Sequence, residues 1–457
     1  MFDLATYADL QRVVGDPEYA KEKHLIVKQV KTLKLMHLED EIKGVKADDP
    51  DWRTTVDTIK SKMAEEKCNC KKYLIKYDKE YINDGNVTHL GLFRSVVTDG
   101  KRIYSFAPPK SLPLSHFKLL GTFGANGDDG AKFEYQEFAE GTMINLFYDS
   151  EVDNWEIASR SNVGARCKFY QESTMTFREM FLDAMTHMGL EFEMLSKCYC
   201  YSFVLQHPEN RIVLPFRTPC LILTNVYKCD GPKVAAIPLT PQSVTSTPWI
   251  SKAGSYLVRT PRSLNAILEC SEPDLNIDCV CAKIVSGNDL DYRLMGAVVY
   301  NAANGSRVKF RNPHYERVRY LKGNSPKLQF QYYNLRQIGL VSEYLKFYPE
   351  HRNMLSQFRD QLHSWTHALW RNYIRCFVNK EKTLKEFPFE FKSHMYKLHQ
   401  YYIDNLRPFG RCVSPAVTIQ YVNTLPPAYL MSSINYPLRK VHLDQKKDSV
   451  LSSLTSR

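Results

Sequence analysis

Three pairs of cysteines in the 457-residue sequence have the C-x-C spacing that can indicate metal binding. Zinc ligands are usually spaced C-x2-C or wider and are joined by a second pair or by histidines. Because residues two apart on a strand share one face, we interpret the second and third pairs as small buried side chains on strands. The three pairs are Cys68/Cys70, Cys198/Cys200 and Cys279/Cys281.

Two histidines, His363 and His367, also have the spacing of a metal-binding pair, since they lie four residues apart in a segment with a helical pattern. The sequence offers no third ligand close to them, and a closed zinc site takes four. We therefore predict that these histidines lie on the surface of a helix.

The chain carries 61 Lys and Arg against 50 Asp and Glu, a formal net charge of +11. This balance favours polyanionic partners such as RNA, DNA or nucleoside triphosphates, although it also serves plain solubility. The first residues, MFDLATYADLQ, contain no uninterrupted apolar run, and no window reaches the roughly 18–20 apolar residues of a membrane span. We expect a soluble, cytoplasmic protein with no membrane partner, whose twelve cysteines are reduced thiols.

The apolar pattern changes period along the chain and so indicates which elements position these residues. Helical spacing at the start gives way to β-branched and aromatic alternation with turn signals, and helical spacing then returns. These changes predict an α+β fold. The predicted regions are an N-terminal helical arm (1–70), a mixed-sheet domain (71–320), an all-helical domain (321–436) and a flexible tail (437–457).

Individual helices are predicted within the two helical regions. In the arm, one helix is expected from Pro17 to about Glu41 and a second after Asp51, a plausible N-cap. In the C-terminal region, apolar residues three or four apart predict long amphipathic helices around residues 355–373 and 395–406.

The segment YSFVLQHPENRIV at residues 201–213 places a Pro-Glu-Asn-Arg core inside an apolar run. It resembles the strand-turn-strand that ATP-dependent RNA ligases of the phage T4 RNA ligase 1 type place beside their nucleotide pocket, which reads roughly F-E-L-x-x-P-x-N-R-I-V. The resemblance continues in order over residues 72–324 and implies a nucleotidyltransferase domain. In the family, the glutamate after the phenylalanine contacts the nucleotide, whereas here Phe203 is followed by Val204.

Cations that the family uses to bind phosphate are largely kept. The segment from Gly91 resembles the family's R-G-x-x-F…R-P-F-x-K-F segment, in which an arginine and a lysine bind the triphosphate. Arg94 and Lys110 match those positions. The run RVKFR resembles the family's final K-x-K strand, whose cations face the AMP phosphate. Lys309 is kept there, and Arg311 replaces the second lysine with a planar group that still binds phosphate.

The residues that the family uses for covalent and metal chemistry are not kept. Residues 139–144, AEGTMI, resemble the nucleophile segment K-x-D-G-S-L, whose lysine forms a lysyl-AMP adduct, but that position holds Phe138. A phenylalanine has no amine with which to attack ATP. Lys132 lies six residues upstream, roughly 20 Å along an extended strand, so it serves only if the loop is rebuilt. Met295 stands where the family has an acid that helps to hold a catalytic metal.

Two polar residues near these positions have open roles. Glu140, the acid beside Gly141, either hydrogen-bonds a ribose or braces a turn. Arg211, in the Pro-Glu-Asn-Arg core, is interpreted as bracing a turn in preference to contacting a ligand.

The family often appends a helical domain that shapes RNA specificity, and residues 321–436 have the composition for one. Cations interleaved with aromatic residues suit single-stranded RNA, although a core stripe beside a solvated face gives the same pattern. The residues concerned are Arg352, Arg359, Arg371, Arg375 and Lys380 with Tyr348, Trp365, Trp370, Tyr373 and Phe377.

We therefore expect a catalytically degenerate RNA-ligase-like protein that binds RNA ends or a nucleotide. One alternative is an active ligase that joins a 5′-phosphate to a 3′-hydroxyl, takes ATP and Mg²⁺ as cofactors, and uses a displaced lysine. Another is a scaffold whose pocket is filled by Phe138, Val204 and Met295. The expected nucleotide- and phosphate-binding residues are Arg94, Lys110, Glu140, Lys309 and Arg311.

Overall fold

The computed structural model divides the chain into two compact units, Met1–Arg317 and Val318–Arg457. The described residues are 1–30, 42, 52–69, 71–122, 133–170, 173–237, 239, 248–269, 275–286 and 290–441.

All described strands lie in the first unit. They are β1 (Phe2–Asp3), β2 (Leu25–Gln29), β3 (Tyr73–Tyr77), β4 (Val96–Thr98), β5 (Ile103–Phe106), β6 (Phe133–Glu137), β7 (Thr142–Asp149), β8 (Asn154–Ser159), β9 (Asn162–Val163), β10 (Cys200–Gln206), β11 (Cys220–Asp230), β12 (Lys233–Ile237), β13 (Gly296–Asn301) and β14 (Arg307–Arg311).

These strands form three sheets within the described residues. One has the order β1–β12–β11–β10–β7–β8–β9, the second β14–β13–β6 and the third β2–β3–β4–β5. Every strand pair is antiparallel. The prediction of an α+β fold is therefore confirmed at this level, whereas the prediction of a mixed sheet is wrong for the described strands.

Strand β14 follows a strict alternation that decides which face of its sheet is apolar. Val308 and Phe310 are buried and join a core with Ala297 and Val299 of β13. Because successive side chains on a strand point to opposite faces, the residues between them share the other face. Those residues are Arg307, Lys309 and Arg311.

Helices accompany the sheets in the first unit and make up all of the described regular structure beyond Pro313. They are α1 (Leu10–Gly15), α2 (Pro17–Glu22), α3 (Trp52–Asn69), α4 (Leu114–Thr122), α5 (Phe177–Met188), α6 (Lys252–Ser255), α7 (Leu264–Leu268), α8 (Ile277–Cys281), α9 (Pro313–Lys322), α10 (Leu328–Gln337), α11 (Val341–Phe347), α12 (Arg352–Tyr373), α13 (Phe389–Tyr401), α14 (Pro415–Thr424) and α15 (Pro427–Ile434). π-Helical turns continue three of them at Ala282–Ser286, Ile374–Val378 and Tyr402–Leu406.

The predicted helical arm is wrong in much of its described part. Of the expected 17–41 helix the structure describes residues 17–30, and within them only Pro17–Glu22 is helical, because the apolar residues that follow form β2, which pairs with β3. At the very start, β1 pairs with β12. The second predicted helix is confirmed as α3, although its proposed cap, Asp51, lies outside the described residues.

The other predicted elements are the two long C-terminal helices and the tail. The helices predicted around residues 355–373 and 395–406 are present as α12 and as α13 with its π-helical turn. In the tail, residues 437–441 are helical, and the remainder lies outside the described residues. No described helix combines the length and apolar character of a membrane span.

The cysteine pairs also differ from expectation. Cys279 and Cys281 lie in the short helix α8 rather than on a strand. Cys200 begins β10, whereas Cys198 is exposed just before it. Cys70 and the side chain of Cys68 lie outside the described residues.

Candidate functional site

Phe138, at the expected nucleophile position, lies beside the cationic face of β14. The Nζ atom of Lys309 lies 3.9 Å from the centroid of the Phe138 ring, and the Arg311 guanidinium carbon lies 5.7 Å from it. This contact follows from strand register, since Arg311 pairs with Gly296 and the amide of Phe138 donates to the Gly296 carbonyl at 2.9 Å. An aromatic face attracts a cation, so Phe138 holds Lys309 in place.

Lys309 also lies in a cluster of like charges. Burial lowers its pKa well below the ordinary value, and the charges of Arg307, Arg94 and Arg311 lower it further. For Arg94, burial and the charge of Arg307 lower the pKa to about 10, so this guanidinium remains charged at neutral pH. Among the described residues, Lys309 has no carboxylate partner. The site therefore holds positive charge that no neighbouring acid neutralises.

The other cations of the cluster are more fully engaged. Arg307 is 4% exposed and donates to the carbonyl oxygens of Pro108 and Pro109. Arg94 donates to the Pro108 carbonyl at 3.4 Å. Arg311 is half exposed and forms an ion pair with Glu316. Lys309 is thus the cation of this strand most available to an anion.

A cavity of about 330 Å³ opens where Phe138 meets the end of β10. Its wall is largely apolar, and arginines stand at its rim. It is lined by Glu137, Phe138, Ala139, Glu140, Gln206, Leu214, Phe216, Cys220, Ile222, Arg259, Thr260, Arg262, Arg293, Leu294 and Met295. The cavity therefore brings together Phe138, Glu140 and Met295, three positions that the resemblance placed at a nucleotide pocket.

Two glycines allow the backbone to approach closely around this cavity. A Cβ atom added to Gly141 would lie 2.4 Å from the Leu205 carbonyl oxygen, and one added to Gly296 would lie 2.1 Å from the Phe310 carbonyl oxygen. Both residues have positive φ, at +148° and +147°. Only glycine fits these positions, which explains why Glu140 and Met295 are each followed by one.

Glu140 braces the turn that follows β10. One of its carboxylate oxygens accepts hydrogen bonds from the amides of Val213 and Leu214, at 2.9 and 3.0 Å. The side chain is 2% exposed, and burial raises its pKa, partly offset by these amides and by Tyr315. Of the two roles left open by the sequence, the geometry is that of bracing.

Residues of the Pro-Glu-Asn-Arg core form hydrogen bonds within the protein. Residues Pro208–Asn210 form a 3-10 turn. Glu209 accepts from the amide of Thr174 at 3.1 Å, and Arg211 donates to the Val213 carbonyl at 3.1 Å. The expectation of a second strand directly after this turn is wrong, since the next strand begins at Cys220. The motif therefore shapes the cavity wall without presenting its polar groups to a ligand.

The residues present do not fit a catalytic metal. Val204 is 6% exposed and packs with Cys220 and Ile222, and Met295 lines the cavity. The nearby carboxylates are engaged as well. Their partners are Arg262 for Glu137 at 2.7 Å, Arg293 for Asp291 at 3.7 Å, Arg311 for Glu316, and the two backbone amides for Glu140. Within the described part of the chain, no group of three or more His, Cys, Asp or Glu is arranged for a metal ion.

None of the four expected phosphate-binding cations, Arg94, Lys110, Lys309 and Arg311, lines this cavity itself. Lys110 is half-buried and is not among the residues that line the cavity; its amide donates to the Gly91 carbonyl at 3.0 Å. Lys132 lies outside the described residues.

Three rim arginines were missed by the sequence reasoning. Arg259, Arg262 and Arg293 come from loops far along the chain from Phe138, and no spacing in the sequence connects them to it. Arg307 was also not proposed as a site residue, although its alternation with Lys309 and Arg311 was a readable signal.

Comparisons with known proteins give a limited match. No protein-family model matches the chain. It is 28% identical over 105 residues to an RNA ligase of Rhodothermus phage RM378, a match that covers 21% of this chain and 23% of the phage protein. An RNA ligase structure from Naegleria gruberi with PPi aligns over 41% of this chain and 51% of that chain, with 13% identity and a TM-score of 0.29. Each alignment spans less than two thirds of the other protein. The chain is thus similar in sequence, at low identity and over about a fifth of its length, to a phage RNA ligase.

Proposed function

We propose that the first unit binds a nucleotide or the 5′-phosphorylated end of an RNA at the Phe138 cavity, without forming a lysyl-AMP adduct at position 138. The observation that carries the proposal is the position of Phe138, whose side chain contacts Lys309 at 3.9 Å and Arg311 at 5.7 Å and also lines an open cavity with an apolar wall.

A phosphate group suits the charge of this site. Lys309 is half-buried among Arg94, Arg307 and Arg311 and has no acid partner among the described residues. Bringing an anion beside it relieves the repulsion among these cations. Charge-assisted hydrogen bonds of this kind are about twice as strong as neutral ones.

The cavity wall suits the flat ring of a nucleobase. Phe138, Phe216 and Met295 supply apolar and aromatic surface. Arg262 and Arg293 are paired with Glu137 and Asp291, so Arg259 is the lining arginine that supplies further positive charge. A ligand cavity with an apolar wall and a few convergent polar groups is the common form of a small-molecule site.

The same geometry supports binding that needs no divalent cation. Glu137, Asp291 and Glu316 are paired with arginines, and one oxygen of Glu140 accepts from two backbone amides, so a single buried Glu140 oxygen is left, too few ligands to position Mg²⁺. We therefore expect the phosphate to contact the cations directly.

A scaffold with a filled pocket is the less favoured alternative. It requires the cations to pair internally or to point away, and Arg311 meets this condition through Glu316. Lys309 does not meet it, and a cavity of about 330 Å³ is not filled.

The test compares two 3′-labelled ten-nucleotide RNAs, one with a 5′-phosphate and one with a 5′-hydroxyl, in titrations with EDTA and with Mg²⁺. We expect the 5′-phosphate to tighten binding about tenfold or more, equally in both buffers, because charge-assisted contacts contribute about 1.5–3 kcal/mol. Equal affinity of the two RNAs, together with no competition by ATP or AMP, would refute the proposal.

A second candidate function, an ATP-dependent ligase with a displaced nucleophile, is favoured by the lowered pKa of Lys309 beside the expected nucleophile position. A neutral amine can attack the α-phosphorus of ATP, forming a P–N bond as pyrophosphate leaves with its electron pair and the amine proton passes to solvent.

Incubation with α-³²P-labelled ATP and Mg²⁺ or Mn²⁺, followed by denaturing electrophoresis, separates the candidates. Label that is lost in Lys309→Ala and kept in Lys132→Ala would establish the ligase with Lys309 as nucleophile, and the reverse pattern would assign Lys132. Absence of label alongside tight RNA binding would support the non-covalent proposal.

A further inference from the structure

The excess positive charge of the chain lies in the second unit. The sequence of Val318–Arg457 has 21 Lys and Arg against 9 Asp and Glu, whereas Met1–Arg317 has 40 against 41. The first unit is therefore nearly neutral, and the second carries a net charge of +12. Such asymmetry between parts of a chain indicates a polyanionic partner for the basic part.

The second unit contains a cavity of about 220 Å³. This is the volume of about seven water molecules, which is enough for a single flat ring and too small for a folded peptide segment. It is lined by residues of α10, α12 and α14, namely Arg336, Leu362, His363, Thr366, His367, Trp370, Pro415, Ile419 and Val422.

Aromatic groups form one side of this cavity. The indole N–H of Trp370 donates to the Val413 carbonyl at 3.1 Å, which fixes the ring. The His367 ring lies 5.9 Å from it, inclined by 37°. His363 lies one turn earlier on α12, and among the described residues it has no hydrogen-bond or ion-pair partner. Two imidazoles and an indole thus meet an apolar wall, as in a site that stacks a ring and hydrogen-bonds its edge.

Cations surround this cavity on the same unit. Arg336 lines it and donates to the side-chain oxygen of Asn423. Arg371 follows His367 by four residues, so the two share a face of α12. Arg411 lies two residues before Val413. Arg371 and Arg411 are exposed, and among the described residues neither has an acidic partner.

We propose that the cavity lined by Arg336, His363, His367 and Trp370 receives one base of a single-stranded RNA, whose phosphates meet the surrounding cations. The cavity favours a nucleic acid over an acidic peptide, because a peptide carboxylate gains nothing from an apolar, ring-sized pocket, whereas an unstacked base does. The choice of RNA over DNA rests on the proposed function of the first unit.

The test uses the full-length chain and a 3′-labelled, 5′-hydroxyl ten-nucleotide RNA, so that the probe carries no 5′-phosphate for the first unit. The double variant His363→Ala/His367→Ala removes two exposed side chains of the cavity. Its matched control, Gln357→Ala/Ser364→Ala, removes two exposed side chains elsewhere on α12. We expect the histidine variant to weaken binding about tenfold and the control to leave it unchanged, in line with the stacking of one base.

Two further measurements make the outcome decisive. A Trp370→Phe variant, which keeps an aromatic ring, should bind more tightly than Trp370→Leu, with both checked by circular dichroism for folding. Equal affinity of the histidine variant and the wild type, or equal binding of an abasic oligonucleotide, would overturn the proposal. Polyglutamate that competes as well as RNA would overturn it too, since charge alone would then explain binding.

The same variants separate this inference from the proposed function. If the histidine variant still prefers a 5′-phosphate over a 5′-hydroxyl, the first unit works without the second cavity. If the preference is absent in the wild type but the histidine variant still weakens binding, the inference stands and the proposed function fails. Equal affinity for single-stranded DNA would remove the choice of RNA and overturn the proposal as stated.

Discussion

The first unit buries several of its cations wholly or partly, whereas several cations of the second unit are exposed. In the first unit, Lys72 is 2% exposed and is paired with Asp149 and Glu151, and Lys309 lies against Phe138. In the sequence of the second unit, Lys and Arg outnumber Asp and Glu by more than two to one, and several of these cations, such as Arg352, Arg359 and Arg371, are exposed. A partly buried cation recognises one group in one geometry, whereas a field of exposed cations attracts any polyanion and is screened by salt.

Aromatic residues show the same contrast. Phe138 serves as the surface against which a cation rests. Of the five aromatic residues of the helical unit for which RNA contact and a core stripe were both open, Tyr348, Trp365 and Tyr373 are buried in the core, Phe377 is partly buried against His399, and Trp370 lines a cavity. The basic and aromatic interleaving therefore reflects mainly a core stripe beside a solvated face. Among these five residues, Trp370 is the one that lines the described cavity.

The largest expected effect tests the role of the partly buried cations. The Lys309→Ala/Arg94→Ala double variant should weaken binding of a 5′-phosphorylated RNA by about two to three orders of magnitude, because two charge-assisted contacts are lost. It should also flatten the salt dependence, which fluorescence titrations at several salt concentrations measure. A matched control is Lys101→Ala/Lys233→Ala, which removes two exposed cations of the same unit. If both variants lose affinity equally, the contrast between the two units is wrong.

The next effect concerns the turn that shapes the first cavity. Glu140→Ala removes the acceptor of two backbone amides, and we expect it to lower the free energy of unfolding by about 2–4 kcal/mol. Glu140→Gln keeps an acceptor oxygen and should cost less. Because burial raises the pKa of Glu140, the carboxylate opposes folding once it ionises, so the stability of the Gln variant relative to wild type should rise with pH. Denaturant titrations at pH 5 and pH 8 measure this, and equal losses in both variants would contradict bracing by the carboxylate.

A buried histidine gives the helical unit the opposite pH dependence. Burial lowers the pKa of His394 to about 4 from 6.5, and the ring is hydrogen-bonded by Tyr421 and Ser433. Between pH 6.5 and pH 4 the unfolded chain takes up a proton that the folded chain does not, so stability falls as pH falls. The loss should reach about 3 kcal/mol. Denaturant titrations should show that His394→Gln flattens this pH slope, and an unchanged slope would assign the acid sensitivity elsewhere.

The smallest expected effect concerns the charge of Lys309. Because its pKa is lowered, the amine loses its charge at a lower pH than an ordinary lysine, and affinity for the phosphate should fall as pH rises. In Lys309→Arg the cation persists, so this decline should disappear. Competition titrations with AMP at fixed ionic strength measure it. A decline that persists in the Arg variant would place the titrating group outside this site.

The alternation in the sequence determined much of the sheet unit. The pattern of RVKFR was enough to place Lys309 and Arg311 on one face, and the strands at Tyr73–Tyr77 and Thr142–Asp149 follow from β-branched and aromatic alternation. In the helical unit, apolar spacing identified α12 in the same way. These features are local, because they depend on the period of one strand or helix.

Tertiary structure decided the features that depend on distant partners. Leu25–Gln29 has a pattern that fits a helix or a strand, and pairing with β3 made it a strand. The role of Arg211 as a brace of the turn was predicted from its motif, whereas that of Glu140 was not, because its hydrogen-bond partners were fixed only when the turn folded over the cavity. For the same reason, the sequence did not predict that Arg259, Arg262 and Arg293 line the cavity beside Phe138.

The sequence by itself determined that Phe138, Val204 and Met295 cannot supply an amine or a carboxylate, because residue type alone settles that chemistry. Only the tertiary structure decided that Lys309 rests on Phe138 and that His363 and His367 share a cavity with Trp370. The physical reason is that side-chain identity is a local property. Burial, charge compensation and cavity shape arise from segments far apart in the chain that fold onto one another.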